Sequence, residues 1–368
     1  MLPLFVALLL VFFPIFSREC SSEPLVPALY VFGDSLSDAG NNNHIPLTIA
    51  RANYRPYGIN FSEGITGRFS NGRTFADLIA EYLGLPNYPL AYRRDPRSET
   101  GYTYASGGCG ILPETGLGSG CVPLDQQLIF FEETISKELR PSFGNPADLS
   151  QHLASSIFLV WVGSNDYLLN YFNTPVQSPQ VFAQILIDGL SDKLKRLHEL
   201  GARKFLVLEI GPLGCIPAYR KNGGHDETWC DDDKNSNAKM FNDRLGPMIQ
   251  ALTPTYSDSY FTRGNIYDLS DDAFKNPVKY GLTNVHSSCC TTVPGQIFNN
   301  IVCRVLLPWQ FPCRNAHEYL FFDGAHPTEA SYQILAPPCF NGSDVCVPYN
   351  IQQLAQLPTN SANLRSSA

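Results

Sequence analysis

The chain has 368 residues, 44% of them hydrophobic and 16% charged, and a net charge of −8. This composition supplies a core and excludes a long solvated or disordered chain. The acidic balance disfavours nucleic acid, whose phosphates demand a basic surface, and simple electrostatic docking to anionic lipid.

The first segment, Met1 to Phe16 (MLPLFVALLLVFFPIF), is almost wholly apolar, and polar residues begin at Ser17-Arg18-Glu19. A bilayer span needs about 20 apolar residues; this run is shorter and carries two prolines. Residues 1–22 are therefore expected to be a signal peptide, cleaved between Phe16 and Glu23. No later segment is apolar and long enough to span a bilayer, so no transmembrane segment is expected once the leader is removed.

After the leader, short β-rich apolar runs recur, each closing on glycine or polar residues. Pro27 to Phe32 (PALYVF) leads into Gly33-Asp34-Ser35, and Gly101 to Ser106 (GYTYAS) into Gly107-Gly108. Ile157 to Val162 (IFLVWV) leads into Gly163-Ser164-Asn165-Asp166, and Lys204 to Ile210 (KFLVLEI) into Gly211-Pro212. Ser259 to Leu269 is a weaker fifth run. Continuous apolar runs suit strands buried on both faces of a parallel sheet. Helical patterns lie between them: Thr74 to Leu83, Pro179 to Leu200 and Asp233 to Leu252. The alternation predicts an α/β fold, a three-layer α/β/α sandwich with a central parallel sheet of about five strands. Residues 23–350 form a single domain on this reading. Residues 351–368, rich in Gln, Ser, Asn and Ala, form a polar tail that begins as a short helix and then frays.

The chain has 11 cysteines, and removing Cys20 with the leader leaves ten. An even number in an oxidising compartment points to disulfides, with Cys109/Cys121 and Cys215/Cys230 as local pairs. Cys289, Cys290, Cys303, Cys313, Cys339 and Cys346 admit 15 pairings. No paired C-x-x-C or His pair suggests a metal site. Asn60-Phe61-Ser62 and Asn341-Gly342-Ser343 are glycosylation acceptors, at Asn60 and Asn341.

Ligands of open α/β sheets bind beyond the carboxyl ends of the strands, where the polar strand-end residues collect. A serine nucleophile needs an oriented base and donors for the oxyanion it creates. Ser35 follows the first strand, where it could serve as nucleophile, although its position alone favours a helix cap. Asp323-x-x-His326 can supply a base and its orienting carboxylate from one turn. Asn165, and a backbone N–H at Gly107 or Gly108, could serve the oxyanion; a plain turn would also use these residues. No one of these signals is strong alone, but together they fill every role at the expected ligand edge.

Six segments in order resemble the plant GDSL-type esterase/lipase family, a branch of the SGNH hydrolases. They are Phe32–Asn42 (FGDSLSDAGNN), Gly67–Arg73 (GRFSNGR), Tyr104–Gly108 (YASGG), Gly163–Asp166 (GSND), Gly211–Pro217 (GPLGCIP) and Phe322–Ala330 (FDGAHPTEA). The resemblance spans about residues 27 to 337. It implies a flavodoxin-like fold with a five-stranded parallel sheet and a Ser35–His326–Asp323 triad. It also implies an oxyanion hole of the Ser35 and Gly108 N–H groups with the Asn165 side chain, Gly107 being the alternative to Gly108. Asp34, Asp38 and Asp166 would support the site. Three departures touch its surroundings: Thr103 where Asn is frequent, Phe322 where Trp is frequent, and the small Gly324-Ala325 before His326. The function implied is a secreted, extracellular serine esterase/lipase, the cell wall included, acting on a small or polymeric ester without metal or organic cofactor. An acyltransferase on the same site and a non-catalytic cell-wall binding protein are the alternatives.

Overall fold

The computed structural model describes residues 23–92, 98–220, 230–292 and 301–359. The expected leader, residues 1–22, lies outside them.

The strands in chain order are β1 (Leu29–Gly33), β2 (Leu90–Ala91), β3 (Tyr102–Thr103), β4 (Ile157–Trp161), β5 (Lys204–Leu208), β6 (Tyr260–Gly264), β7 (Asn284–Ser288), β8 (Tyr319–Phe321) and β9 (Cys346–Val347). β7 and β8 form a separate parallel pair; the others make one sheet in the order β2-β3-β1-β4-β5-β6-β9. Every pairing in that sheet is parallel except β6 with β9. The five runs read from the sequence are β3, β1, β4, β5 and β6. The sheet is nevertheless seven-stranded, because β2 and β9 add an edge strand of two residues each. Strands that short carry no periodicity from which to read them.

β1, β4 and β5 are buried at every residue. Successive side chains point to opposite faces of a strand, so both faces must be apolar and the sequence shows no alternation. Tyr30, Phe32, Phe158, Val160, Phe205 and Val207 face one helical layer. That layer holds α2 (Leu124–Thr134), α4 (Pro146–Ser155), α5 (Pro179–Glu199) and α6 (Asp232–Thr255). Leu29, Val31, Leu159, Trp161, Leu206 and Leu208 face the other, with α1 (Phe75–Tyr82), α8 (Glu329–Asn341) and α9 (Ile351–Gln356). Two short helices, α3 (Arg140–Ser142) and α7 (Ile266–Lys275), complete the set among the described residues. α5 starts where Ser178 accepts a hydrogen bond from Val181 N, and α6 where Asp231 accepts from Asp233 N. Both are N-caps that fix a helix start in sequence.

The expected polar tail starts inside the packed body. Ile351, Leu354 and Ala355 share one face of α9 and are buried, at the i, i+3, i+4 spacing of a helical stripe. Lys204 Nζ donates to Ala355 O at 2.6 Å. A polar composition concealed this three-residue stripe. The disulfides include both local pairs, Cys109–Cys121 and Cys215–Cys230. The other six cysteines join as Cys289–Cys313, Cys290–Cys303 and Cys339–Cys346.

Candidate active site

Ser35 lies two residues past β1, in a turn closed by Ser37 N on Asp34 O at 3.2 Å, and it heads no helix. Gly33, which ends β1, has φ +154°, and a Cβ there would fall 2.1 Å from Trp161 O. Only glycine lets the strand pass its neighbour and turn at this point. Asn165 follows β4 and leads into a wide helical turn, Asp166–Tyr171. Gly107 and Gly108 follow β3. Because these strands run parallel, their carboxyl ends share one edge of the sheet. His326 reaches the same edge from the loop between β8 and α8.

There His326 Nε2 stands 2.8 Å from Ser35 Oγ, and His326 Nδ1 stands 2.7 Å from Asp323 Oδ2 and 2.8 Å from Oδ1. A carboxylate only accepts, so Nδ1 carries the proton and Nε2 is left to accept from the serine hydroxyl. Asp323 is fully buried and His326 is 5% exposed. Asp323 Oδ1 also accepts from Ala325 N and His326 N, at 2.9 and 2.7 Å. The Asp-x-x-His turn thereby holds its own imidazole.

The expected oxyanion donors also converge. Asp34, Ser35, Gly108, Asn165 and His326 line one cleft, open to solvent, with Phe69, Leu168, Leu169 and Ile216 as apolar wall. Gly107 N donates to Asp38 Oδ2 at 3.0 Å and is not free. Gly108 has φ +89°, and neither its N–H nor that of Ser35 makes a hydrogen bond among the described residues. Asn165 Nδ2 spends one hydrogen on Cys109 O at 2.9 Å and has a second to offer.

Buried carboxylates hold the Gly108 loop at both ends. Asp38 accepts from Gly40 N, Asn41 N and Gly107 N. Asp166 accepts from Ile111 N at 2.8 Å, Leu112 N at 3.0 Å and Thr115 Oγ1 at 2.8 Å. Burial pushes both carboxyls up to about 6, although the backbone donors pull each back. Asp34 is pushed to about 7 by burial, with Leu36 N and the nearby His326 pulling the other way.

Two neighbours of the Asp323–His326 pair escaped sequence reasoning. Tyr57 is fully buried, donates to Asp323 Oδ2 at 2.6 Å and accepts from Cys303 N at 2.9 Å. Phe69 lies against His326, ring centroids 4.8 Å apart. Phe69 sits in the Gly67–Arg73 segment, which does signal a site. Nothing local to Arg55-Pro56-Tyr57-Gly58 marks Tyr57.

Residues 29–337 match the GDSL-like lipase/acylhydrolase family. The chain belongs to that family. It is 42% identical over 347 residues to GDSL esterase/lipase 7 of Arabidopsis thaliana, covering 91% of this chain and 93% of that one. A second GDSL esterase/lipase of the same plant is 41% identical over 346 residues, covering 92% and 88%. Among solved structures, the chain resembles a phospholipase A1 from Streptomyces albidoflavus NA297 at 12% identity and TM-score 0.37, over 84% of this chain and 96% of that one. That likeness is too remote to bear on the substrate. The departures from the family pattern have local accounts here. Thr103 Oγ1 donates to Ser37 O at 2.7 Å, bracing the turn that carries Ser35. Phe322 is buried edge-on to Tyr57, and Ala325 is half-buried in the cleft wall.

Proposed function

We propose that this carboxylic ester hydrolase works by acyl transfer through Ser35, His326 and Asp323. The observation that carries the reading is the continuous relay from Ser35 Oγ to His326 Nε2, at 2.8 Å, and from His326 Nδ1 to Asp323, at 2.7 Å. Ser35 Oγ attacks the ester carbonyl carbon while its proton passes to His326 Nε2. The imidazolium is stabilised by the Asp323 carboxylate. The carbonyl oxygen, now negative, is met by the N–H groups of Ser35 and Gly108 and by the Asn165 amide. The tetrahedral centre collapses, the ester C–O bond breaks, and His326 gives its proton to the departing alcohol. Water then attacks the acyl-serine, yielding its proton to His326, and the acid leaves as Ser35 regains its hydrogen. Apart from the ester and the attacking water, every group used belongs to the chain.

Secretion is part of the same reading, supported by five disulfides among the described residues. Asn60 and Asn341 are exposed and are the glycan sites it names. Among the described residues no helix is long and apolar enough to cross a membrane. The Ser35→Ala protein is expected to keep its melting temperature and to lose hydrolysis of p-nitrophenyl acetate. Undiminished turnover in that variant contradicts the assignment. An alcohol acceptor added to the wild-type assay separates hydrolysis from acyl transfer by product.

A further inference from the structure

Asn60, in the sequon Asn60-Phe61-Ser62, lines a surface groove that shares no residue with the catalytic cleft. The orientation of its amide is fixed by its neighbour. Asn71 Oδ1 accepts from Glu329 N at 2.9 Å, so Asn71 turns its Nδ2 toward Asn60, and Asn60 answers with Oδ1 at 3.1 Å. That leaves Asn60 Nδ2, the atom that carries an N-linked glycan, without a hydrogen bond among the described residues. A glycosylated amide keeps its oxygen, so the Asn71 bond survives the modification. Asn60 and Ser62 are both exposed.

The groove has two kinds of wall. Phe311 is 70% exposed, two residues before the Cys289–Cys313 disulfide, and Ile59 and Ala330 extend its apolar surface. Arg314, His317 and Gln333 supply polar groups, and all three are exposed. An N-acetylglucosamine ring divides in the same way, with C–H groups on its faces and hydroxyls and an amide on its rim. Its C–H groups suit the negative face of an aromatic ring. A wholly apolar occupant would cover Phe311 and desolvate the polar wall without pairing it. A sugar joined to Asn60 also needs little intrinsic affinity, because its attachment at the groove makes the contact intramolecular.

We propose that the first N-acetylglucosamine of a glycan on Asn60 seats in this groove against Phe311 and is a fixed part of the fold. The sugar ties the Asn60 turn to the loop that carries Phe311. Through Asn71 and Glu329 it also braces the start of α8, three residues after His326. The proposal rests on the secretion reading above. The N-glycosidic bond forms as Asn60 Nδ2 displaces a polyprenyl diphosphate from the anomeric carbon of the donor sugar and gives up a proton.

The test uses the full chain secreted from a eukaryotic host that adds high-mannose glycans, with peptide mapping of both sequons. An endoglycosidase that cuts within the glycan core then leaves a single N-acetylglucosamine on each occupied asparagine. Ser62→Ala abolishes the Asn60 sequon and keeps the Asn60–Asn71 bond. Melting temperatures are compared for trimmed wild type and trimmed Ser62→Ala, each with and without Phe311→Ala. Ser62→Ala is expected to melt about 2–4 °C below wild type, and Phe311→Ala to cost the glycosylated protein a similar shift. In the Ser62→Ala background, Phe311→Ala should change the melt by less than about 1 °C. Equal Phe311→Ala shifts in both backgrounds, or a Ser62→Ala melt equal to wild type, overturn the proposal. A secreted protein occupied at Asn341 and bare at Asn60 overturns it and leaves secretion standing. A chain kept inside the cell with its leader uncleaved and both sequons bare overturns both.

Discussion

Tyr57 adds a fourth group to the relay from Ser35 to Asp323. Its hydroxyl donates to Asp323 Oδ2 and accepts from Cys303 N, so it holds Oδ2 while the Ala325 and His326 N–H groups hold Oδ1. Tyr57→Phe removes one donor from a buried carboxylate and leaves the Cys303 N–H unpaired. The expected cost is about 1–3 kcal/mol of stability and about tenfold in kcat. The loss is expected in kcat with KM for p-nitrophenyl acetate little changed, and unchanged kcat in a destabilised variant would assign Tyr57 to packing alone. The residues that the sequence did mark, Ser35, Gly108, Asn165, Asp323 and His326, were readable for one reason. Each sits at a strand end, or in a turn that orients its own side chain. Tyr57 meets Asp323 across 266 residues, and no spacing rule reaches so far.

At the level of elements, the His326 loop is held from two directions. The Gly67–Arg73 segment grips one end: Ser70 Oγ donates to Pro327 O, Asn71 Oδ1 accepts from Glu329 N, and Arg73 pairs with Glu329 at 2.6 Å. This gives physical content to a motif that was recognisable as a string but had no assigned work. The disulfide-bonded segment grips the other end. Cys290 N donates to Phe322 O, Gly324 N donates to Ile301 O, and Cys303 N reaches Tyr57. Cys290–Cys303 closes a short loop over a separation of 13 residues, a constraint worth about 3 kcal/mol on the unfolded chain. Replacing both cysteines by alanine is expected to lower stability by about that much and to lower kcat, because the Tyr57–Asp323 contact loosens. Thermal melts with kcat on p-nitrophenyl acetate check this; a destabilised variant with full kcat would separate the staple from the triad.

On the scale of the whole molecule, the layering was legible because buried parallel strands must be apolar on both faces. The two short edge strands and the docked α9 were not, since two residues make no pattern and a three-residue stripe disappears in a polar tail. The same deep burial that builds the sheet edge also sets a pH dependence. Asp34 is carried from an ordinary value of 3.8 to about 7, and Asp38 and Asp166 to about 6. A carboxyl whose folded value is raised binds its proton more readily in the folded state. Its contribution to stability is full below the unfolded value and is lost as pH rises through the folded one. From about pH 4 to about pH 7 these three groups should therefore lower the melting temperature with rising pH. Asp34→Asn should flatten that decline, with the gap over wild type widening toward pH 7. Parallel melting curves across the range would contradict the account of Asp34.

The most direct measurement of the central claim is covalent labelling with a fluorophosphonate, followed by peptide mapping. One phosphonyl group is expected on Ser35, and none on the same peptide when His326→Ala removes the base. A label on another serine, or none on the folded wild-type protein, would contradict the account.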